Sequence, residues 1–108
     1  MDEVCARTGY CLATSLVRTA SVNWLVSGKT PDDTTCSPHP DLQITLHSSS
    51  GLTHVSYSPV PCIAGRFTVD KLPTSCDFVE LGPTGTDRGW RSGRLDAATG
   101  ETTLDLSF

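Results

Sequence analysis

A chain of 108 residues, 37% hydrophobic and 6% aromatic, has material for one domain with a single modest core. Its formal net charge of -4 and its scattered lysines and arginines leave no basic stripe for a nucleic-acid backbone. No run approaches the ~20 consecutive apolar residues of a membrane span, and Met1-Asp2-Glu3-Val4-Cys5 does not make a signal peptide.

Serine and threonine are abundant, nine glycines and seven prolines are spread along the chain, and long runs of strong helix formers are missing. That composition favours β structure. Five cysteines in so short a chain are ordinary in an oxidising compartment and unusual in a reducing one. We therefore expect an extracytoplasmic protein, secreted or at a cell surface. An export signal would have been removed ahead of Met1, and a lipid anchor is compatible with a processed N-terminus there. The odd cysteine count leaves one thiol over.

Residues 1–15 read as an N-terminal arm or linker, with the sandwich occupying 16–108. Cys5 and Cys11 flank Ala6-Arg7-Thr8-Gly9-Tyr10, and a local bridge between them is the simplest proposal. The competitor is a metal site, but zinc ligands usually stand about two to four residues apart. Here five residues intervene and no histidine is near.

Residues 16–27 read as the first strand, with Val22, Trp24 and Val26 on one face and Ser21, Asn23 and Ser27 on the other. Trp24 is the leading core candidate, since a sugar-stacking tryptophan would stand on the polar face. Pro31, Asp32, Asp33, Pro38 and Pro40 break the chain over 29–40, without the acidic spacing of a calcium loop. In 41–48, Leu42, Ile44 and Leu46 face in while Gln43, Thr45 and His47 face out. A turn at 48–51 leads to 52–57, where Val55 and Tyr57 oppose His54. Pairing these two strands sets His47 beside His54, and two histidines alone are explained by an exposed polar face.

The stretch from Pro61 through Pro73 organises the rest. Gly65 turns the chain, Phe67 and Val69 alternate with Arg66, Thr68 and Asp70, and Leu72-Pro73 closes the run. A shorter strand at 77–81 turns Val79 and Leu81 inward and Phe78 outward. After the turn-dense residues 82–89, strands at 90–96 and 101–107 complete the count, with Leu104, Leu106 and Phe108 inward. The expected fold is all-β: one Ig-like antiparallel β-sandwich of about seven strands, supported by disulfides.

Gly65-Arg66-Phe67-Thr68-Val69, Leu72-Pro73 and Phe78-Val79-Glu80-Leu81 together resemble Ig-like sandwiches of the carboxypeptidase-regulatory or transthyretin-like kind. With Trp24, Cys36 and Pro61-Cys62 the chain is also similar to small domains of bacterial surface lipoproteins. Within that picture Cys36 and Cys62 each precede a strand, and a Cys36–Cys62 bridge closing about 26 residues would add roughly 3 to 4 kcal/mol. A Cys62–Cys76 bridge is the alternative, and with the first pairing Cys76 is the free thiol.

No catalytic signature is present: there is no Gly-x-Ser-x-Gly elbow, no phosphate loop, and no cysteine with a clear activating histidine. We expect no enzyme, no cofactor and no metal. The candidate ligand-binding residues are Arg88, Trp90, Arg91 and Arg94, with Asp87 and Tyr10 as possible neighbours, on or beside a long loop. An acidic glycan or a protein partner at a cell surface suits that chemistry. The bland alternative packs Trp90 on the sheet edge under the arginines. A purely structural module is the other reading, with self-association through an edge strand or through the odd thiol.

Overall fold

The structure, a computed structural model, describes residues 3–6, 11–49, 51, 53–86 and 89–107. β1 (Glu3–Cys5) and β2 (Cys11–Ala13) pair antiparallel as a small separate sheet, Cys5 facing Cys11 across it. Those two cysteines are bonded. The arm expected to be a loop is thus a stapled hairpin: the staple sets the two flanking triplets opposite one another, which allows ladder bonds that neither triplet would form alone.

Seven strands make the two packed layers: β3 (Val17–Val26), β4 (Asp41–His47), β5 (His54–Pro61), β6 (Arg66–Pro73), β7 (Phe78–Pro83), β8 (Arg91–Arg94) and β9 (Glu101–Leu106). One sheet has the order β6-β3-β9 and the other β5-β4-β7-β8. Every strand of the two layers except β8 turns alternate apolar residues between the sheets. Leu42, Ile44 and Leu46 of β4 are fully buried against Val22, Trp24 and Val26 of β3, with Val79 and Leu81 of β7 beside them. Trp24 lies at the centre, and its indole Nε1 donates to the Cys62 carbonyl at 2.9 Å. The polar atom that burial would otherwise orphan is thereby satisfied.

The sandwich is not wholly antiparallel. β9 runs parallel to β3, from Ser21 opposite Glu101 to Val26 opposite Leu106. The alternation of β9 decides which side chains face inward but carries no information on strand direction. The chain crosses from β8 in one sheet to β9 in the other, and so lays β9 along β3 in the same sense.

Two irregularities retune the alternation. On β6, Lys71 adopts φ 54, and the register with β3 shifts between Arg18 and Ala20. The bulge leaves Lys71 exposed and turns Leu72 into the core instead. On β5, the pairing moves from Ile44 opposite Tyr57 to Leu42 opposite Val60, which buries Val60.

Cys36 and Cys62 form the second bridge, with Cα atoms 5.8 Å apart and both residues buried in the core. The Cys36 loop is held by Asp32, whose carboxylate accepts from the backbone N–H groups of Thr34 and Thr35 at 2.9 and 2.7 Å. The Thr35 backbone bond, then its hydroxyl, holds the Asp32 carboxyl below the usual carboxylate range. Asp32 is therefore a turn-builder. Cys76 is the free thiol and is fully buried, its Sγ 3.7 Å from the Thr53 carbonyl. That corrects the idea of a thiol available to link two chains, because the fold closes over the sulfur.

The two seams of the sandwich differ. On one, β8 and β9 approach closely: a Cβ at Gly93 would stand 2.7 Å from Leu104 Cδ2, and Arg91 Nε donates to the Asp105 carbonyl at 3.1 Å. On the other, β5 and β6 are the edges of opposite sheets. There Val55, Tyr57 and Phe67, expected as core, are only half-buried, with the Tyr57 and Phe67 rings 5.0 Å apart. Among the described residues no further strand lies beyond them in either sheet, so these side chains cap the core and remain partly wet. Phe108 and Leu52 lie outside the described residues. Among the described residues, no helix is long and apolar enough to cross a membrane.

Candidate binding face

The outward side chains of the four-stranded sheet form ordered rows, because the register sets outward residues of neighbouring strands opposite one another. One row runs His54, His47, Phe78, Arg94 across β5, β4, β7 and β8. His47 stacks on Phe78 at 5.7 Å with 14° between the planes, and the Arg94 guanidinium lies 4.8 Å from the same ring's centroid. Arg94 Nε also donates to Asp77 Oδ2 at 3.2 Å. Phe78 is thus the middle of a stacked row on the outer face. The His47 and His54 pair does meet across the hairpin, and among the described residues no set of three or more His, Cys, Asp and Glu is placed to hold a metal ion.

The next row is Ser56, Thr45, Glu80, Ser92. The Thr45 and Ser56 hydroxyls share a 2.8 Å hydrogen bond. Glu80 is about half exposed and lies 3.9 Å from His47 Nε2. Beyond it comes Gln43 opposite Gly82, and here the face changes character. Trp90 covers Gly82 so closely that a Cβ there would stand 2.2 Å from the indole Cδ2 and 2.3 Å from Cγ. Only a residue without a side chain leaves that space. The indole Nε1 donates to the Thr86 carbonyl at 2.7 Å, which fixes the ring from its other end.

Beside the indole, Glu80, Trp90, Arg91 and Ser92 line a cleft of about 350 Å³. The structure therefore sets Trp90 at the cleft and sends Arg94, two residues beyond Ser92 on the outward side of β8, to Phe78 and Asp77, while Arg91, opposite the inward Leu81, turns to the seam and the Asp105 carbonyl. Arg88, with Asp87 and Tyr10, lies outside the described residues. Sequence reasoning missed Gly82, Glu80 and Ser92. The available signal was the continuation of β7 to Pro83: on a strand that long, Glu80 and Gly82 alternate outward with Phe78, and the glycine marks a close approach.

The outer face of the other sheet is built differently. Ser21 and Thr68 hydroxyls bond at 3.2 Å, Arg66 Nη2 donates to Ser21 Oγ at 3.2 Å and lies 3.7 Å from Glu101 Oε1. These short polar groups bond with one another. Compared with known proteins, the chain matches no family model, no curated protein and no solved structure.

Proposed function

We propose that this chain is an exported, non-catalytic β-sandwich module that binds a protein or glycan through the outer face of the four-stranded sheet. Two disulfides support an oxidising, extracytoplasmic setting, and residence in the secreted fraction or at a cell surface is part of the proposal. So is the resemblance to Ig-like, transthyretin-like sandwiches, supported by the two-layer arrangement of seven strands. The carrying observation is Trp90, held against Gly82 and bonded to Thr86 at the edge of the cleft. An aromatic ring already fixed on a rigid sheet loses little freedom when it meets a ligand. Arrays of immobilised glycans and extracellular proteins, probed with the oxidised wild type and with Trp90→Ala, test the reading. Signals that vanish in the variant support it; signals equal in both remove it.

A structural subunit is the second reading, favoured by the open seam. Tyr57, Phe67, Thr68, Val69 and Asp70 line a cleft of about 370 Å³ between the two sheet edges. Self-association through these edges would appear as a rise in sedimentation coefficient with concentration, abolished by a proline placed at Ser56 on β5.

A further inference from the structure

On the outer face, the cleft beside Trp90 offers one apolar ring, one carboxylate and one hydroxyl. Each is held or framed by the sheet. The indole is fixed by Gly82 and the Thr86 carbonyl, while Arg91, opposite the inward Leu81, is tied away from this face by its Nε to the Asp105 carbonyl. Glu80 and Ser92 are opposite one another on β7 and β8, so their side chains leave the same face of the sheet side by side.

Charge narrows the ligand. Arg94, which would favour an acidic ligand, is engaged by Asp77 and Phe78. Its charge still opposes a cation on this face while Glu80 opposes an anion, so a fully charged ligand loses at one group what it gains at the other. A ligand whose groups both donate and accept hydrogen bonds uses Glu80 and Ser92 together. The cleft volume is at the small end of small-molecule sites.

We infer that this cleft is a subsite for a neutral sugar, with the C–H face of one pyranose ring against the Trp90 indole, its hydroxyls donating to Glu80 and accepting from Ser92. The Thr45 and Ser56 hydroxyls and Gln43 continue the same polar surface along the sheet, which suits an oligosaccharide lying across it. This rests on the binding-face reading above and names its ligand class.

The test titrates the oxidised full chain, followed by Trp90 emission and by amide NMR shifts. The probes are methyl glucoside, methyl galactoside, methyl mannoside, N-acetylglucosamine and their disaccharides, with galacturonate and a trilysine peptide as charged controls. Trp24 is buried and serves as an internal reference for an intact fold. The expected result is saturable binding of at least one neutral sugar with shifts confined to this face. Trp90→Ala should abolish it, and Glu80→Gln should weaken it about tenfold. Neutral sugar binding that survives Trp90→Ala overturns the inference. Binding at the cleft by a charged control alone also overturns it, while the binding face stands. If no probe binds but the array signals still depend on Trp90, the sugar fails and the face survives. If neither depends on Trp90, both readings fall.

Discussion

The two tryptophans have the same kind of anchor and opposite surroundings. Trp24 and Trp90 each donate the indole N–H to a backbone carbonyl, of Cys62 at 2.9 Å and of Thr86 at 2.7 Å. Trp24 is 2% exposed between the sheets, whereas Trp90 lies on the outside of one of them, half-buried, bordering a cleft. The hydrogen bond fixes a ring in both places. Burial on both sides makes the first a determinant of stability, and a ring bordering the cleft makes the second available to a partner.

The comparison breaks first if Trp24 proves dispensable. Trp24→Ala opens a cavity at the centre of the core and leaves the Cys62 carbonyl with only the Gly65 N–H as donor, so a loss of about 3 to 5 kcal/mol is expected in urea unfolding of the oxidised protein. The two bridges should separate similarly. Replacing Cys36 and Cys62 together by serine should cost roughly 3 to 4 kcal/mol on the chain-entropy model, since the bridge spans a sequence separation of 26 within the core. Replacing Cys5 and Cys11 should move the same midpoint by less than about 0.5 kcal/mol. That hairpin is a separate sheet, and its loss would be seen by proteolysis of the arm.

On the outer side, Gly82→Ala drives a methyl group into the indole. The expected cost is about 1 to 3 kcal/mol, accompanied by a change in Trp90 emission with Trp24 unaltered. Trp90→Ala should cost only about 1 kcal/mol of stability while removing binding. A Trp90→Ala loss as large as that of Trp24→Ala would mean that both rings are core.

The smallest effects are pH-dependent. Burial holds the Cys76 thiol above its ordinary 9.0. Its contribution to stability is therefore complete below about pH 9 and is lost as pH rises through the higher folded value. Unfolding curves from pH 8 to pH 10 should steepen their decline for the wild type relative to Cys76→Ala. Asp96 shows the opposite sign: backbone N–H groups of Thr99, then Ala98, hold its carboxyl below the usual range. The 97–99 turn should be held above an ordinary aspartate pKa and loosen as pH falls through the lower folded one, visible in the Thr99 amide shift.

Most strands of the sandwich were legible because period-2 alternation is a local signal. Leu42, Ile44 and Leu46 read as inward and are fully buried, and Trp24 reads as core for the same reason. The irregular positions were legible in part. Leu72 reads as core and is buried, though nothing beside it marks the extra residue at Lys71, whereas Pro59 and Pro61 mark the break at which Val60 turns inward. Val55, Tyr57 and Phe67 alternate correctly, but how deeply they are buried depends on whether another strand lies beside them.

The chain's residues by themselves specify β structure, the inward set on most strands and the chemistry of an oxidising compartment, since alternation, turn residues and cysteine content act over short distances. Only the tertiary structure decides that β9 runs parallel to β3, that Cys76 is enclosed, and that Trp90 lies on Gly82 beside Glu80 and Ser92. Those outcomes depend on how separate strands cross and pack, and a side chain's neighbours across a sheet are set by register, which no single strand encodes.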